Sequence, residues 1–587
     1  MPSTLRRSKL ALCAIVAGLY VCALGLFVVA PLLECTDTFA PVDAPFALVT
    51  YTTPFCIWYT ACLAVFLVFG ALQLAAVVVC GLAVRLRGFV TRRRALRAPP
   101  PAHKVVVVVP CCGETEDELA ATLRSLAHMR ADPASILLIL VVDGMGGRAG
   151  HAAATAEVLL RDVLRHPRVR DVGDVLDAPC LPYACARNPA RRPANRVSWF
   201  QDTFENIPYV VLVKRGADPA DLGTRGKKDS LVMAMRLLRA AHVPDNDTYD
   251  AIAGALDADL AQYRHMMVVD ADTTVDPEAL AVFGRFPHAL GVCGETRVLP
   301  TWNLLTLAQT FEYWYSHILL KSMETALYNT FVLSGCFAVY ALWDPPPAPE
   351  GRPGMLLLHP DIIDAYADRC PTLSDDTLGA ANILETGEDR YLAMLLLRRF
   401  PGRSLHYTPA TWCVTAAPET LSKLLCQRRR WTNSLVHCHQ HLFRHPPRQS
   451  PWAHARMYFV LLVELWAAYF LPLMLFVGLL LFVLGFLNFA WSVWYIVFLV
   501  LLFQSLLVPI LHCSVTMVLL WPFYVLATPL FSVFIPLRSL WKADDVAWGK
   551  TRAVAQAASV DRSVDRSVDR SRRSVELDAP PDAADQA

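Results

Sequence analysis

The chain reads Lys104-Val105-Val106-Val107-Val108-Val109-Pro110 soon after a proline cluster, and this run is typical of a strand buried on both faces. A helix is predicted from Leu119 to Met129, and a second buried strand from Ile136 to Val142, directly before an acid, Asp143. This order opens a nucleotide-binding α/β sheet. Ligands of such sheets bind at the carboxyl ends of strands, so Glu114 and Asp143 are candidates to bind base and ribose. Either acid alone fits a solvated loop equally well.

Further along, a predicted strand from His265 to Val269 ends at Asp270-Ala271-Asp272. Two carboxylates one residue apart at a strand end can hold a divalent cation against a nucleotide diphosphate. Hard oxygen ligands of this kind favour Mg²⁺ or Mn²⁺. Such a pair often arises by chance, but its place after two earlier junctions of strand and acid favours a metal site.

The segment between the second and third of these strands is less regular. Residues 150–206 are rich in Ala, Arg and Pro, and we interpret them as an insertion around the nucleotide site. A strand is predicted at Pro208 to Val213. The basic turn Gly223 to Ser230 then opens a predicted helix, Ser230 to Ala240, and can offer backbone amides and Lys227 to phosphates. Basic turns are also common at ordinary helix starts.

A second polar group begins at Glu388-Asp389-Arg390, the start of a predicted helix that ends at Arg399. The helix dipole would keep Asp389 ionised, and as a base Asp389 would accept the proton of an acceptor hydroxyl, with Glu388 beside it. The plain alternative is a helix-start acid paired with Arg390.

The sequence Gln427 to Trp431 lies in an amphipathic helix predicted to begin near Thr420. Three consecutive arginines cannot all face one way, so one or two of them would serve a diphosphate. The indole of Trp431 offers a flat apolar face for a sugar ring. In isolation, a juxtamembrane polybasic patch is the default interpretation of such a run.

Composition places part of the chain in lipid, because 55% of its 587 residues are hydrophobic and only 18% are charged. The net charge of +2 gives no support for nucleic-acid binding. The seventeen cysteines show no metal-binding spacing and are interpreted as mostly reduced thiols, with one disulfide, Cys35 to Cys56, left open. The Asn246 sequon is expected to be unused.

Two apolar runs, Leu10 to Leu33 and Phe55 to Val84, predict an N-terminal membrane hairpin. No Lys or Arg lies between Lys9 and Arg85, so the positive-inside rule puts both ends of the hairpin in the cytosol. The segment from Arg85 to about His454 is then cytosolic.

From Met457 to Leu537 the only formally charged residue is Glu464. We expect this segment to cross the membrane an even number of times, so that Trp548, which follows it, lies in the cytosol. Pro522, Pro529 and Pro536 make the last apolar segment a poor span, so an interfacial or re-entrant helix is expected. Glu464 within lipid is costly unless it faces protein or a water-lined path, and the plain alternative is an acid close to the cytosolic end of the segment.

Several motifs occur together in one order, and in that order the chain resembles the chitin synthases. The resemblance covers roughly residues 103–553 and is closest to the fungal class with a single short N-terminal region. The motifs are Cys112–Glu116, Gly226–Ser230, Val269–Thr273, Cys293–Thr296, Phe311–Tyr313 with Ser316-His317, Ser334–Phe337, Gly387–Leu392, Gln427–Ser434 and Asp544–Arg552. Gly113, Thr115, Ser334 and Thr432 depart from the usual pattern, and none of these changes removes a charged group.

The resemblance implies an α/β GT-A glycosyltransferase domain with a mixed, mostly parallel sheet, inserted between transmembrane helices. It implies a family 2 processive enzyme that polymerises N-acetylglucosamine from UDP-GlcNAc into β-1,4-linked chitin, with inversion, and passes the growing chain across the plasma membrane. By position it implies catalytic roles for Asp389 and Glu388 and a metal role for Asp272. The substrate-binding positions that it implies are Glu114, Asp143, Lys227, Asp270, Gln427, Arg430, Trp431 and Trp548.

The expected organisation has six parts. They are a membrane hairpin with a basic segment (1–98), a cytosolic catalytic domain (99–415), interfacial helices (416–455), a C-terminal transmembrane region (456–540), a Trp-Gly segment (541–555) and a disordered tail (556–587). Partners are the nucleotide sugar, the growing chitin chain and the bilayer, and assembly into a homo-oligomer is left open. The nearest rival is a hyaluronan synthase. A transporter or an inactive scaffold fits less well, since the α/β region, Asp272 and Asp389 are all present.

Overall fold

A computed structural model of the protein describes most of the region between residues 79 and 546. The described residues are 79–99, 104–147, 154–183, 185, 195–216, 221–244, 247–299, 301–344, 354–368, 373, 377–470, 472, 475–476, 506, 509–510 and 514–546. Predictions about the N-terminal hairpin up to residue 78, Cys35, Cys56, Asn246, Trp548 and the tail lie outside them. The first described element is a helix, α1, over residues 79–97.

The described residues form two compact units. The first, called here the donor unit, comprises the described residues of Ala102–Thr273; the second, the acceptor unit, comprises those of Met1–Pro101 and Thr274–Ala547. The boundary falls inside the predicted catalytic domain 99–415.

The donor unit alternates strands and helices. Its elements are β1 (Lys104–Cys111), α2 (Glu116–Ala127), β2 (Ile136–Val142), α3 (Thr155–Glu157, continued by a π-helical turn Val158–Val163), α4 (Val172–Asp177), β3 (Cys180–Tyr183), β4 (Asn195–Phe204), β5 (Ile207–Gly216), α5 (Lys227–Ala240), α6 (Thr248–Ala255) and β6 (Tyr263–Val269). The strand order is β3-β4-β5-β2-β1-β6. The pairs β5–β2, β2–β1 and β1–β6 are parallel, whereas β3–β4 and β4–β5 are antiparallel.

The predicted buried strands are confirmed, because every residue of β2 and five consecutive valines of β1 are buried. Two helices begin three residues earlier than predicted. Helix α2 begins at Glu116 because Thr115 and Glu118 form a capping box, and α5 begins at Lys227 after Gly226. Their polar first turns carry no apolar periodicity. The interpretation of residues 150–206 as an irregular insertion was incomplete, since β3 and β4 lie within it.

The acceptor unit holds the remaining elements. They are β7 (Thr273–Val275, which begins at the unit boundary), α7 (Ala279–Phe283), β8 (Ala289–Val298), α8 (Leu304–Tyr315, continued by a π-helical turn Ser316–Lys321), α9 (Ser322–Leu327), β9 (Phe337–Ala341), α10 (Pro360–Ala367), α11 (Leu378–Thr386), α12 (Glu388–Arg399), β10 (Ser404–Thr415), α13 (Leu421–Arg444), α14 (Pro451–Tyr469), α15 (Val515–Thr528, continued by a π-helical turn Pro529–Phe534) and α16 (Ile535–Trp541). The strand order is β9-β8-β10-β7. Strand β8 is parallel to β10 and antiparallel to β9.

Strand β9 begins at Phe337, inside the apolar run from Phe331 to Tyr340. The amide of Phe337 donates to the carbonyl of Ser334 at 3.0 Å, and this turn at Ser334-Gly335 separates the first half of the run from the strand. The sheet arrangement in both units confirms the predicted α/β fold with a mixed, mostly parallel sheet.

Within the part of the chain that the structure describes, one helix, Val515–Trp541, is long and apolar enough to cross a membrane, judged by length and composition. One face of it packs on protein: Phe531 and Ile535 join a core cluster with Ala308 of α8 and Leu424 of α13. Near its other end, the ring of Tyr524 stacks on Phe311 at 4.5 Å. The opposite face is exposed at residues spaced along the helix, namely Val515, Leu519, Leu526, Phe534 and Trp541. One side of this helix is therefore packed against protein, and the other side carries an exposed apolar stripe.

Candidate functional site

In the donor unit, the parallel strands bring the predicted acids to one edge of the sheet. The last residues of β1 and β2, Cys111 and Val142, are register partners, and β6 runs parallel to β1. Glu114, Asp143 and the pair Asp270 and Asp272 therefore follow strands that end on the same side. This gathering of carboxylates depends on strand order as well as on the acids themselves.

Three of these carboxylates interact electrostatically. Burial raises the pKa of Glu114 to about 8, and the negative charges of Asp272 and Asp270 contribute to that rise. Burial, with Asp270 as the next cause, raises the pKa of Asp272 to about 6. Lys227 Nζ donates to Asp270 Oδ1 at 2.5 Å and offsets part of the negative charge. The cluster consequently favours a bound cation.

A divalent metal fits this donor set. Hard carboxylate oxygens suit Mg²⁺ or Mn²⁺, which bind through one or two protein carboxylates while substrate phosphates and water complete the coordination. Among the described residues there is no group of three or more His, Cys, Asp or Glu side chains arranged to hold a metal without a substrate. Asp272 and Asp270 would therefore hold the ion only together with a nucleotide.

Asp143 contacts protein groups on both oxygens. Its Oδ1 accepts from Lys214 Nζ at 2.9 Å and from the amide of Arg225 at 2.8 Å, while Oδ2 accepts from the amide of Gly226 at 2.8 Å. Asp143 thereby holds the turn that precedes α5. Gly226 has φ +95, which favours glycine, and a Cβ there would meet nothing within 4 Å. The turn leaves open space beside the amino-terminal end of α5.

Lys214 and Asp229 are two buried residues that the sequence analysis missed. Lys214 is fully buried and lies 2.9 Å from both Asp143 Oδ1 and Asp229 Oδ2. Burial opposes the charge of Lys214, but the two carboxylates outweigh it and raise the pKa of the ammonium. Tyr183 also donates to Asp229, at 3.2 Å. The feature of the sequence that could have identified Lys214 is its position directly after the apolar run of β5.

In the acceptor unit, the amino-terminal end of α12 carries Glu388 and Asp389. The Asp389 carboxylate accepts from the amide of Arg390 at 2.7 Å, and its place in the first turn aligns it with the helix dipole. Burial, followed by the charge of a carboxylate on α12, raises the pKa of Tyr340 and of Tyr366 well above their usual value. Two buried phenols that stay protonated therefore lie near these acids.

The amino-terminal end of α12 lies close to α13, the helix that carries Gln427 to Trp431. Gly387 precedes α12, and a Cβ at that position would overlap the side chain of Ser434. Only glycine allows this approach. The structure therefore brings the Glu388 and Asp389 segment and the Gln427 to Ser434 segment together within one unit.

The three arginines of α13 point to different surroundings, as predicted. Buried Arg428 donates from Nη2 to Glu312 Oε2 at 2.6 Å, and buried Arg429 forms an ion pair with Asp545. Arg430 is partly buried. The first two arginines therefore have protein partners among the described residues, and Arg430 is the diphosphate candidate that the resemblance named.

Trp431 is held on one side and is 41% exposed. The guanidinium of Arg428 lies 4.2 Å from the indole centroid, and the ring of Tyr313 meets the indole edge-on at 5.7 Å. Gln427 Oε1 is buried and accepts no hydrogen bond from the described part of the chain. A partly exposed aromatic face and an unsatisfied buried acceptor are features that suit a sugar with hydroxyl donors. Nothing in the local sequence pattern indicates that Arg428 and Glu312 support Trp431.

Glu464 lies against protein groups. Its Oε2 is 2.5 Å from Nε2 of His439, and both residues are buried. Glu324 completes this cluster, with a carboxylate that accepts from Thr330 Oγ1 at 2.6 Å and from the amide of Phe331 at 2.9 Å. Glu464 therefore pairs with a protein group through Oε2, whereas its buried Oε1 accepts no hydrogen bond from the described residues.

Comparison with known proteins gives consistent results. A protein-family model described as chitin synthase matches residues 94–575. Chitin synthase 6 of Mycosarcoma maydis is 30% identical over 496 residues, which cover 78% of this chain and 39% of that protein. Chitin synthase 4 of Cryptococcus neoformans var. grubii is 31% identical over 496 residues, covering 78% and 36% respectively. The chain thus spans under two fifths of the length of these relatives.

Among solved structures, a mannosyltransferase from Pyrobaculum calidifontis in complex with GDP-Man and Mn2+ shows 13% sequence identity and a TM-score of 0.38. The match covers 78% of this chain and 99% of that one.

Proposed function

Because the chain belongs to the chitin synthase family, we propose that it is a membrane-embedded processive glycosyltransferase that polymerises N-acetylglucosamine from UDP-GlcNAc into β-1,4-linked chitin. The observation that carries the proposal is the cluster of Glu114, Asp270 and Asp272 at one sheet edge, with Lys227 beside it. Carboxylates that repel each other in the free protein suit a cation and diphosphate that neutralise them.

The donor unit binds UDP in this proposal. Asp143, fixed by Lys214, holds the Gly226 turn so that the amides and Lys227 at the start of α5 face the nucleotide. Glu114 takes part in nucleotide binding, and Asp272 and Asp270 hold the Mg²⁺ or Mn²⁺ ion. An ion held there would offset the negative charge that develops on the departing UDP. Trp548, outside the described residues, remains a proposed contact to the nucleotide.

The acceptor unit handles the growing chain. Asp389, next to Glu388 and aligned with the dipole of α12, accepts the proton of the 4-hydroxyl group, which attacks the anomeric carbon and inverts it. Trp431 stacks on the terminal sugar, Gln427 accepts a hydroxyl hydrogen bond, and Arg430 stabilises the diphosphate. The growing polymer then crosses the membrane.

For its location, we propose a multi-pass protein of the plasma membrane with the catalytic region in the cytosol. The apolar composition and the arginines after residue 84 support this placement. The six predicted segments keep the bounds given above. The exposed apolar stripe of Val515–Trp541 rests on the inner membrane surface.

A single-substrate assay tests the function. The purified full chain, given UDP-GlcNAc alone with Mg²⁺ or Mn²⁺, should form an insoluble polymer that chitinase removes. A requirement for a second, carboxylated UDP sugar would instead identify a hyaluronan synthase. Absence of polymer in both assays, with UDP still bound, would contradict polymerase activity.

A further inference from the structure

A cavity of about 490 Å³ lies in the acceptor unit between α1, β8, β10 and the first turn of α15. Helix α1 contributes Arg85 and Arg92 to its wall, and β8 contributes Glu295 and Arg297. Asp276 lies behind Arg92. Three guanidinium groups thus face two carboxylates, which leaves the cavity with excess positive charge.

Two of these guanidinium groups are held in place. Arg92 lies 4.3 Å from the centroid of Trp412 and donates to Asp276 at 2.5 Å. Arg297 lies 4.2 Å from the same ring and donates to Glu295 Oε1 at 2.9 Å. Cationic groups fixed in advance lose little side-chain entropy when an anion binds.

The start of α15 adds a second attraction for an anion at the same cavity. Ser514 and Thr516 line the wall, and the Ser514 side chain makes no capping hydrogen bond to the helix. The first amides of a helix carry partial positive charge and bind phosphate groups. Arginine side chains and helix amides together match the oxygens of a phosphate ester.

The surroundings of the cavity are apolar. Leu86, Phe89 and Val90 are exposed on α1, and Val515 and Leu519 are exposed on α15. A free phosphate would use only the basic wall, whereas a phospholipid would use both the wall and these exposed side chains. Basic pockets beside apolar helices on the cytosolic side of a membrane suit anionic head groups.

We propose that this cavity binds the phosphate head group of an anionic phospholipid, with the acyl chains lying along α1 and α15. The wall of this cavity contains none of the residues proposed above to bind the nucleotide or the sugar acceptor. The inference uses the membrane placement in the proposed function, but it does not depend on the sugar that is transferred.

Lipid binding to the purified full chain tests the site without reference to polymer synthesis. Short-chain phosphatidic acid should raise the unfolding temperature, and phosphatidylcholine of the same chain length should do so much less. Replacing Arg85 with Gln should weaken phosphatidic acid binding by about tenfold, as expected for one lost charge-assisted hydrogen bond. Arg97→Gln is the matched control, because Arg97 is exposed on the same helix and lies outside this cavity.

A second variant acts in the opposite direction. Glu295→Gln removes a negative charge from the wall and should tighten binding, an effect that general destabilisation would not produce. Equal losses of phosphatidic acid affinity in the Arg85 and Arg97 variants would contradict the proposed site. Weaker phosphatidic acid binding in the Glu295 variant would contradict it as well. If inorganic phosphate at the same concentration raised the unfolding temperature equally, the cavity would bind a soluble phosphate and not a lipid head group.

Discussion

Gly387 and Ser434 are in direct contact, and this contact sets the approach of α12 to α13. A Cβ on Gly387 would overlap the Ser434 side chain, so the helix that carries Asp389 packs against the helix that carries Trp431 only because residue 387 is glycine. Both motifs belong to the acceptor unit. Their neighbourhood is therefore a property of helix packing, since Gly387 and Ser434 lie 47 residues apart in the sequence.

This packing can be tested directly. Gly387→Ala should destabilise the protein by roughly 1–3 kcal/mol, the usual result of placing an extra carbon in a packed site. The variant should unfold at a lower temperature. Adding Ser434→Gly removes the overlapping side chain and should recover part of the loss, even though glycine costs about 1 kcal/mol inside a helix. If the double variant is less stable by the sum of both changes, the contact is not the cause.

Asp389 is the proposed base, and Asp389→Asn keeps its shape while removing its charge. Polymer formation should fall by about 10²–10⁴-fold, the usual contribution of a positioned base, while UDP affinity stays unchanged. Initial rates and calorimetric UDP binding measure the two effects. Asp361→Asn, an exposed acid on α10 that pairs with Arg399, serves as the control. Loss of UDP binding together with activity would make Asp389 structural.

The carboxylates of the donor unit predict a pH dependence of stability. The pKa is raised to about 6 for Asp272 and about 8 for Glu114, whereas the ordinary values are 3.8 and 4.5. The folded chain keeps these protons longer than the unfolded chain. This contribution to stability is full below about pH 4 and is lost as pH rises through about 6 and then about 8.

Thermal unfolding between pH 5 and pH 8.5 should show this loss. Mn²⁺ added together with UDP should restore stability more at the higher pH, because the ion binds the ionised carboxylates. Asp272→Asn should flatten the pH profile and remove most of the Mn²⁺ effect. Asp117→Asn changes an exposed acid on α2 and should alter neither. A Mn²⁺ effect that persists in the Asp272 variant would place the ion elsewhere.

Lys214 should stabilise the donor unit through its two carboxylate partners. Lys214→Met leaves Asp143 and Asp229 buried without their cation, and the expected loss is about 3–5 kcal/mol. UDP affinity should fall as well, because the Gly226 turn depends on Asp143. The triple variant Asp143→Asn, Lys214→Met and Asp229→Asn should recover stability without recovering UDP affinity. Lys104→Met, at a partly buried lysine whose Nζ donates to Gln262 at the surface, is expected to change stability much less, by about 1 kcal/mol or below.

The local pattern of apolar residues was sufficient to predict β1 and β2, the first two strands of the fold. The valine run of β1 and the apolar run of β2 must be buried on both faces, so their assignment required no knowledge of neighbours. The polar starts of α2 and α5 were misplaced because capping geometry, rather than periodicity, sets them. The strand β4 was missed within a segment whose composition resembles a loop.

What the sequence determined by itself is the α/β class, the family resemblance, and the identity of the acids and basic residues at strand and helix ends. Each of these depends on residue type and short-range spacing. Only the tertiary structure decided that Lys214 joins Asp143 to Asp229, that Glu312 and Arg428 support Trp431, and that His439 pairs with Glu464. Those partners lie far apart along the chain. A buried charged group is costly unless it is paired, and tertiary packing determines which oppositely charged or polar group lies close enough to pair with it.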